Sequence, residues 1–240
     1  MSRATTAYTV YRIARVTVPT LLDAMTGRGG RAEQDHRLRA FGRAVVERAR
    51  IQLSVRGAER IPLDRAYVYM SNHQSHTDIP ILYASVPSPT LRMVAKKELF
   101  RVPLFGRAMR IGDMIEVDRS DRASAVESLR RARSLIEDGV SVWIAPEGSR
   151  SRSGELAPLK KGGFYLARDT ATPIIPVAIS GTYHVLPPKT TRMALDVPVE
   201  VEFGAPIPVE DRPVEELMDE VSRFLAEHVR PPRGVIAVER

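Results

Sequence analysis

The residues best equipped for chemistry stand in one polar run, Ser71-Asn72-His73-Gln74-Ser75-His76-Thr77-Asp78, directly after the apolar residues 66–70. At this spacing Asp78 can accept a hydrogen bond from one nitrogen of the His73 ring and leave the other free to take a proton. That is a base with its orienting carboxylate, two parts of a triad whose attacking hydroxyl comes from the substrate. Taken alone, a histidine near an aspartate is as readily a structural pair. With His76 added, the same side chains also offer three ligands of the kind that catalytic zinc uses. The place of the run favours catalysis, because open α/β sheets form their sites at the carboxyl ends of strands.

A second cluster, Pro146-Glu147-Gly148-Ser149-Arg150, follows the apolar residues 140–145. Gly148 lets backbone approach an anion closely, Ser149 offers a hydroxyl, and Arg150 offers a planar fork suited to phosphate. The same residues also read as a surface turn with a solvated arginine. Glu147 fits a structural hydrogen-bonding role better than a catalytic one. Between the two clusters, residues 112–119 read as a strand that ends in Arg119. Two arginines at the ends of separate strands, with Lys96, Lys97, Lys160 and Lys161 on neighbouring connections, can line a pocket for a phosphate monoester.

Holding these residues together requires a sheet. β-rich runs at 52–56, 66–71, 91–95, 114–117, 140–145, 174–179 and 199–203 alternate with helical patterns near 98–109, 121–138, 161–170 and 213–229. The alternation predicts an α/β fold, a single wound sheet with flanking helices. Ahead of it, apolar residues at 8, 11, 14, 18, 21, 22 and 25 make a helical stripe, and Pro19 is expected to kink that helix. Gly27, Gly29 and Gly30 end it. A second helix, from about 33 to 51, carries Leu38, Phe41, Val45 and Ala49 on one side and Arg37, Arg39, Arg43 and Arg50 on the other. Residues 1–51 therefore read as a basic amphipathic helical pair for membrane association, and 52–240 as the α/β domain that carries the chemistry.

Composition narrows the class. The 240 residues suit one catalytic domain, and the absence of cysteine removes disulfides, thiolate nucleophiles and cysteine-ligated zinc, which suits the cytoplasmic face of a membrane. A formal charge of +7 raises nucleic acid as a partner, but aromatics are 6% of residues and no nucleic-acid motif is present. Residues 1–50 hold ten arginines against four acidic residues, so nearly all of the net charge sits there and points to an anionic lipid surface. Neither a signal peptide nor a membrane span is expected. Arg12, Arg15, Pro19 and Asp23 interrupt the N-terminal apolar residues, and the charge-free run 170–188 contains four prolines. Gly-x-Ser-x-Gly and Gly-x4-Gly-Lys do not occur, which favours a reaction in which the substrate hydroxyl attacks.

Taken together these blocks resemble the glycerolipid acyltransferases, specifically 1-acylglycerol-3-phosphate acyltransferases of the PlsC type. The His-x4-Asp block, the strand ending at Arg119, the block 146–150 and Ile175-Pro176-Val177 stand in the order and rough spacing of that family's four motifs. Ala95-Lys96-Lys97-Glu98-Leu99-Phe100, Pro103-Leu104-Phe105-Gly106 and Leu159-Lys160-Lys161-Gly162-Gly163-Phe164 match as well, so the resemblance covers about residues 70–180.

The resemblance implies that His73 deprotonates the acceptor hydroxyl with support from Asp78. It places Arg119, Glu147, Gly148, Ser149 and Arg150 at the acceptor phosphate, and Pro176 and Val177 at the acyl pocket. The implied reaction moves an acyl group from acyl-CoA or acyl-carrier protein to 1-acylglycerol 3-phosphate, giving phosphatidic acid, with no metal and no tightly held cofactor. Other acceptors stay open, among them glycerol 3-phosphate, a lyso-ornithine lipid or a glycolipid. A non-enzymatic peripheral lipid-binding protein is the rival reading. Three positions depart from the family's pattern: His76 and Ala145 stand where aromatics are usual, and Ser149 replaces threonine. The segment from Gly112 to Arg119 is also one residue longer.

Overall fold

The computed structural model describes residues 2–118 and 121–230. Seven strands form one sheet: β1 (Gln52–Arg56), β2 (Val68–Ser71), β3 (Leu91–Lys96), β4 (Ile115–Val117), β5 (Ser141–Ile144), β6 (Ile174–Ser180) and β7 (Pro198–Phe203). Their order is β1-β7-β6-β2-β5-β3-β4, and every pair is parallel except β6 with β7. The helices are α1 (Arg3–Thr26), α2 (Arg31–Arg48), α3 (Asp78–Ser85), α4 (Lys97–Phe100), α5 (Phe105–Ile111), α6 (Arg122–Glu137), α7 (Gly162–Asp169), α8 (Thr182–Val185) and α9 (Val214–His228). This is the wound α/β architecture that the alternating pattern predicts. β2 and β6 are buried along their whole length, as the centre of a sheet covered on both faces must be.

One core lies between the sheet and α2 with α3, where Phe41, Val45, Ile81 and Leu82 meet Tyr69, Trp143 and Val177. The other lies under α6, α7 and α9, where Leu135, Phe164, Leu217 and Val221 meet Val68, Met70 and Val142. α2 and α3 approach closely enough to require a glycine. A Cβ on Gly42 would stand 2.6 Å from the Pro80 carbonyl oxygen and 2.8 Å from the Ala84 nitrogen.

Register places the two polar clusters side by side. β2 and β5 are parallel neighbours with Met70 opposite Ile144, so residues 72–78 and 145–151 leave the sheet at the same edge. β3 and β4 end at that edge too, at Lys96 and Val117. Arg119 lies outside the described residues.

The structure adds three points to the sequence pattern. The helix expected near 98–109 is two helices, because Pro103 has no N–H to donate and Leu104 takes φ +61°, outside the helical region. The two N-terminal stripes face opposite ways: Leu38, Phe41, Val45 and Ala49 of the second dock on the core, whereas Tyr11, Val18, Leu22 and Met25 of α1 are exposed and its inner side buries Thr5, Thr17 and Thr20. The second helix and the sheet thus share one core, so the division at residue 51 marks a change of element and no break in packing.

The arginines on the outer side of α2, and Arg50 just past its end, are also largely engaged within the protein. Arg37 pairs with Asp23 at 2.6 Å, Arg39 donates to the carbonyls of Val86 and Ser88, and Arg50 bonds Asp196 at 2.7 Å. α1 continues through Pro19. No helix among the described residues is long and apolar enough to cross a membrane.

Candidate active site

The segment after β2 is held from every side. Asn72 acts as an extra rung of the ladder: its Nδ2 donates to the Ile179 carbonyl at 2.8 Å, and its Oδ1 accepts from the Ile179 N–H at 2.8 Å. The chain then turns into α3, whose first residue is Asp78. Asp78 is fully buried. Its Oδ2 lies 2.6 Å from His73 Nδ1 and accepts from the backbone N–H groups of Gln74 at 2.8 Å and Ser75 at 3.0 Å. Its Oδ1 is buried without a partner.

One oxygen thus fixes both the turn and the ring, and Nε2 is the imidazole nitrogen left for the cleft. Trp143 on β5 stands edge-to-face against the His73 ring, with centroids 5.6 Å apart, and its indole N–H donates to Ser71 Oγ at 2.9 Å. The ring therefore has a packed wall as well as a hydrogen-bond anchor.

The second cluster clamps the first. Glu147 Oε1 accepts from the His73 backbone N–H at 2.7 Å, and Oε2 accepts from the Ala157 N–H at 2.9 Å. The Ser151 N–H donates to the His73 carbonyl at 2.7 Å. Burial pushes the Glu147 carboxyl up from its ordinary range, against the pull of the Ala157 and His73 N–H groups. Both of its oxygens are used and the side chain is 4% exposed, so Glu147 does not belong with the phosphate-binding residues. A carboxylate would repel phosphate there, and this one ties two loops together. Gly148 has φ +78°, and a Cβ there would stand 2.9 Å from the Lys160 side chain.

His73, Ser149 and Arg150 line one cleft of about 980 Å³, together with Trp143, Ile79, Lys96 and Leu99. Arg150 and Lys96 make no ion pair among the described residues, so the cleft is electropositive. His76 stands at its exposed rim. Partial desolvation and then the Arg150 guanidinium push His76 down to about 4.

The far wall is formed by Tyr183, His184 and Lys189 in and after α8. No pattern in the sequence marks that wall. Only its position directly after the central strand β6 could have signalled it.

Pro176 and Val177 do not reach the cleft. They sit within β6, with Val177 in the core under α2 and α3 and Pro176 beneath Gly204. Neither lines the cleft or the apolar cavity beside it. A mainly apolar cavity of about 260 Å³, lined by Leu129, Ala132, Ile144 and Leu166, does adjoin the cleft and shares Val94 and Ala145 with it.

A wound sheet with a His–Asp pair at its carboxyl edge, beside cations that make no ion pair among the described residues, is the setting for transfer to a substrate hydroxyl. A family model described as Acyltransferase matches residues 52–180, more than half of the chain, and the chain belongs to that family. It is 35% identical over 154 residues to the chloroplast 1-acyl-sn-glycerol-3-phosphate acyltransferase of Brassica napus, which covers 64% of this chain and 44% of that protein. It is 32% identical over 161 residues to the human 1-acyl-sn-glycerol-3-phosphate acyltransferase alpha, covering 67% of this chain and 56% of that one. The chain thus spans about half the length of these curated relatives. Among solved structures, the 1-acyl-sn-glycerophosphate acyltransferase PlsC of Thermotoga maritima superposes with a TM-score of 0.78 at 27% identity, covering 93% of this chain and 92% of that one.

Proposed function

We propose that this protein transfers a fatty acyl group from acyl-CoA or acyl-carrier protein to the free hydroxyl of 1-acylglycerol 3-phosphate, giving phosphatidic acid at a membrane surface. The observation that carries the reading is the His73 ring, tied through Nδ1 to buried Asp78 and lining a large cleft that also holds Arg150. Arg150, Ser149 and the Gly148 backbone hold the acceptor phosphate. His73 Nε2 takes the hydroxyl proton as oxygen attacks the thioester carbonyl. Asp78 stabilises the imidazolium, and collapse of the tetrahedral intermediate expels the thiolate. The acyl chain occupies the apolar cavity that adjoins the cleft. No metal or resident cofactor takes part.

The chain lies on the cytoplasmic face as a peripheral protein, with the exposed side of α1 in the headgroup layer and Arg3 and Arg15 toward lipid phosphates. The test is thiol release from palmitoyl-CoA with 1-acylglycerol 3-phosphate or with monoacylglycerol, which lacks the phosphate. Release that depends on the phosphorylated acceptor supports the reading. Equal rates with both acceptors overturn the phosphate assignment, and no release with either acceptor, from palmitoyl-CoA or from palmitoyl-acyl-carrier protein, overturns the activity.

A further inference from the structure

Between α4 and α5 the chain makes an exposed turn, Arg101-Val102-Pro103-Leu104, in which Leu104 is 65% and Val102 45% exposed. Nothing in the reaction above uses these side chains. Leu104 holds φ +61°, a conformation that costs a residue with a Cβ about 1 kcal/mol or more, while its neighbour Phe100 is buried. The backbone is therefore constrained where most of the side chain faces outward.

The charge around this tip is mainly positive. Between residues 96 and 111 stand two lysines and three arginines against the single Glu98; Lys97 pairs with Asp118 and Arg110 with Glu116, while neither Arg101 nor Arg107 makes an ion pair among the described residues. Aliphatic side chains at the centre with the Arg101 and Arg107 guanidinium groups around them match a leaflet of anionic phospholipid, with apolar tips in the acyl layer and cations among the phosphates. Two neighbours make the position informative. Leu99, on α4, lines the cleft that holds His73, and Ile111, at the end of α5, lines one open cavity with the α1–α2 turn.

We propose that the α4–α5 turn is a second lipid-inserting element, which docks the mouth of the cleft onto an anionic leaflet so that acyl chains pass from the bilayer toward His73 without crossing water. This rests on the membrane reading of α1 and adds to it a contact at the site itself.

The chain has no cysteine, so single labels can be placed cleanly. An environment-sensitive fluorophore is attached to Leu104→Cys, to Met25→Cys and to Glu137→Cys, and each protein is mixed with vesicles of phosphatidylglycerol and phosphatidylcholine. Blue shifts with quenching by nitroxide-bearing lipid at 104 and 25, and none at 137, are the expected result. A shift at 25 alone overturns the proposal and leaves the α1 reading standing. No shift at 25 or 104 overturns both, and equal shifts at all three positions show unspecific adsorption and overturn the proposal.

The double variant Val102→Ser with Leu104→Ser gives the functional readout. Its turnover on vesicle-embedded acceptor should fall by about tenfold, the equivalent of ~1.4 kcal/mol of lost partition. Turnover on a short-chain acceptor below its aggregation concentration should stay at the wild-type value. An unchanged rate on vesicles contradicts the proposal, and an equal fall on both acceptors assigns the turn to folding or to the cleft instead.

Discussion

Both oxygens of Glu147 accept from backbone N–H groups of loops that must stay together, those of His73 and Ala157. Replacing Glu147 with Gln turns one acceptor into an NH2 group facing a donor, which should cost about 1–3 kcal/mol and lower turnover without weakening acceptor binding specifically. Thermal unfolding alongside steady-state kinetics separates this from phosphate binding: a large rise in the acceptor KM with an unchanged melting temperature contradicts the clamp. His76 offers a pH test. Because its folded-state value is depressed to about 4, its contribution to stability is complete above its ordinary value and is lost as pH falls toward 4. In Arg150→Gln a neighbouring cation disappears, so the His76 titration followed by NMR should move to higher pH; no movement contradicts the placement of Arg150 beside it. The His73–Asp78 contact was legible from spacing after an apolar strand. The role of Glu147 was not, because a carboxylate between proline and glycine in a polar loop looks the same whether it faces a ligand or a backbone.

α2 is fastened to the sheet by a buried ion pair, Asp35 on the helix with Arg92 on β3, at 6% and 1% exposure. Burial raises the Asp35 carboxyl, and the Arg92 guanidinium pulls it the other way. Asp35→Ala leaves that guanidinium buried without its counter-ion, so urea unfolding should report a loss of about 3–5 kcal/mol; a loss under ~1 kcal/mol would mean that water already screens the pair. At this scale the seven strands were legible because short β-rich runs alternate with helical ones, and the helix split at Pro103 was partly announced by the proline itself. The direction of the two N-terminal stripes was not legible. A 3.6-residue period marks an apolar face but does not distinguish a face that meets the protein's core from one left outside, and it was packing against α3 at Gly42 that decided for α2.

For the whole molecule, the packing predicts that the two N-terminal helices do not behave as one detachable unit. Removing residues 2–26 should leave a cooperative unfolding transition while lowering binding to anionic vesicles, most at low salt. Removing residues 2–50 should abolish the transition, because Leu38, Phe41 and Val45 go with it. Equal vesicle binding by the shorter truncation would contradict the role given to α1. The acyl pocket was misplaced in the sequence because Ile175-Pro176-Val177 carries the motif but not the surface, a distinction that appears only when the strand is set at the sheet centre. The role of His73 as the base is tested most directly by acceptor-dependent thiol release in the intact protein and in His73→Ala, with circular dichroism to show that both are folded. Turnover should fall by roughly 10²–10⁴-fold with the fold intact; a folded His73→Ala protein that turns over at the wild-type rate would contradict that role.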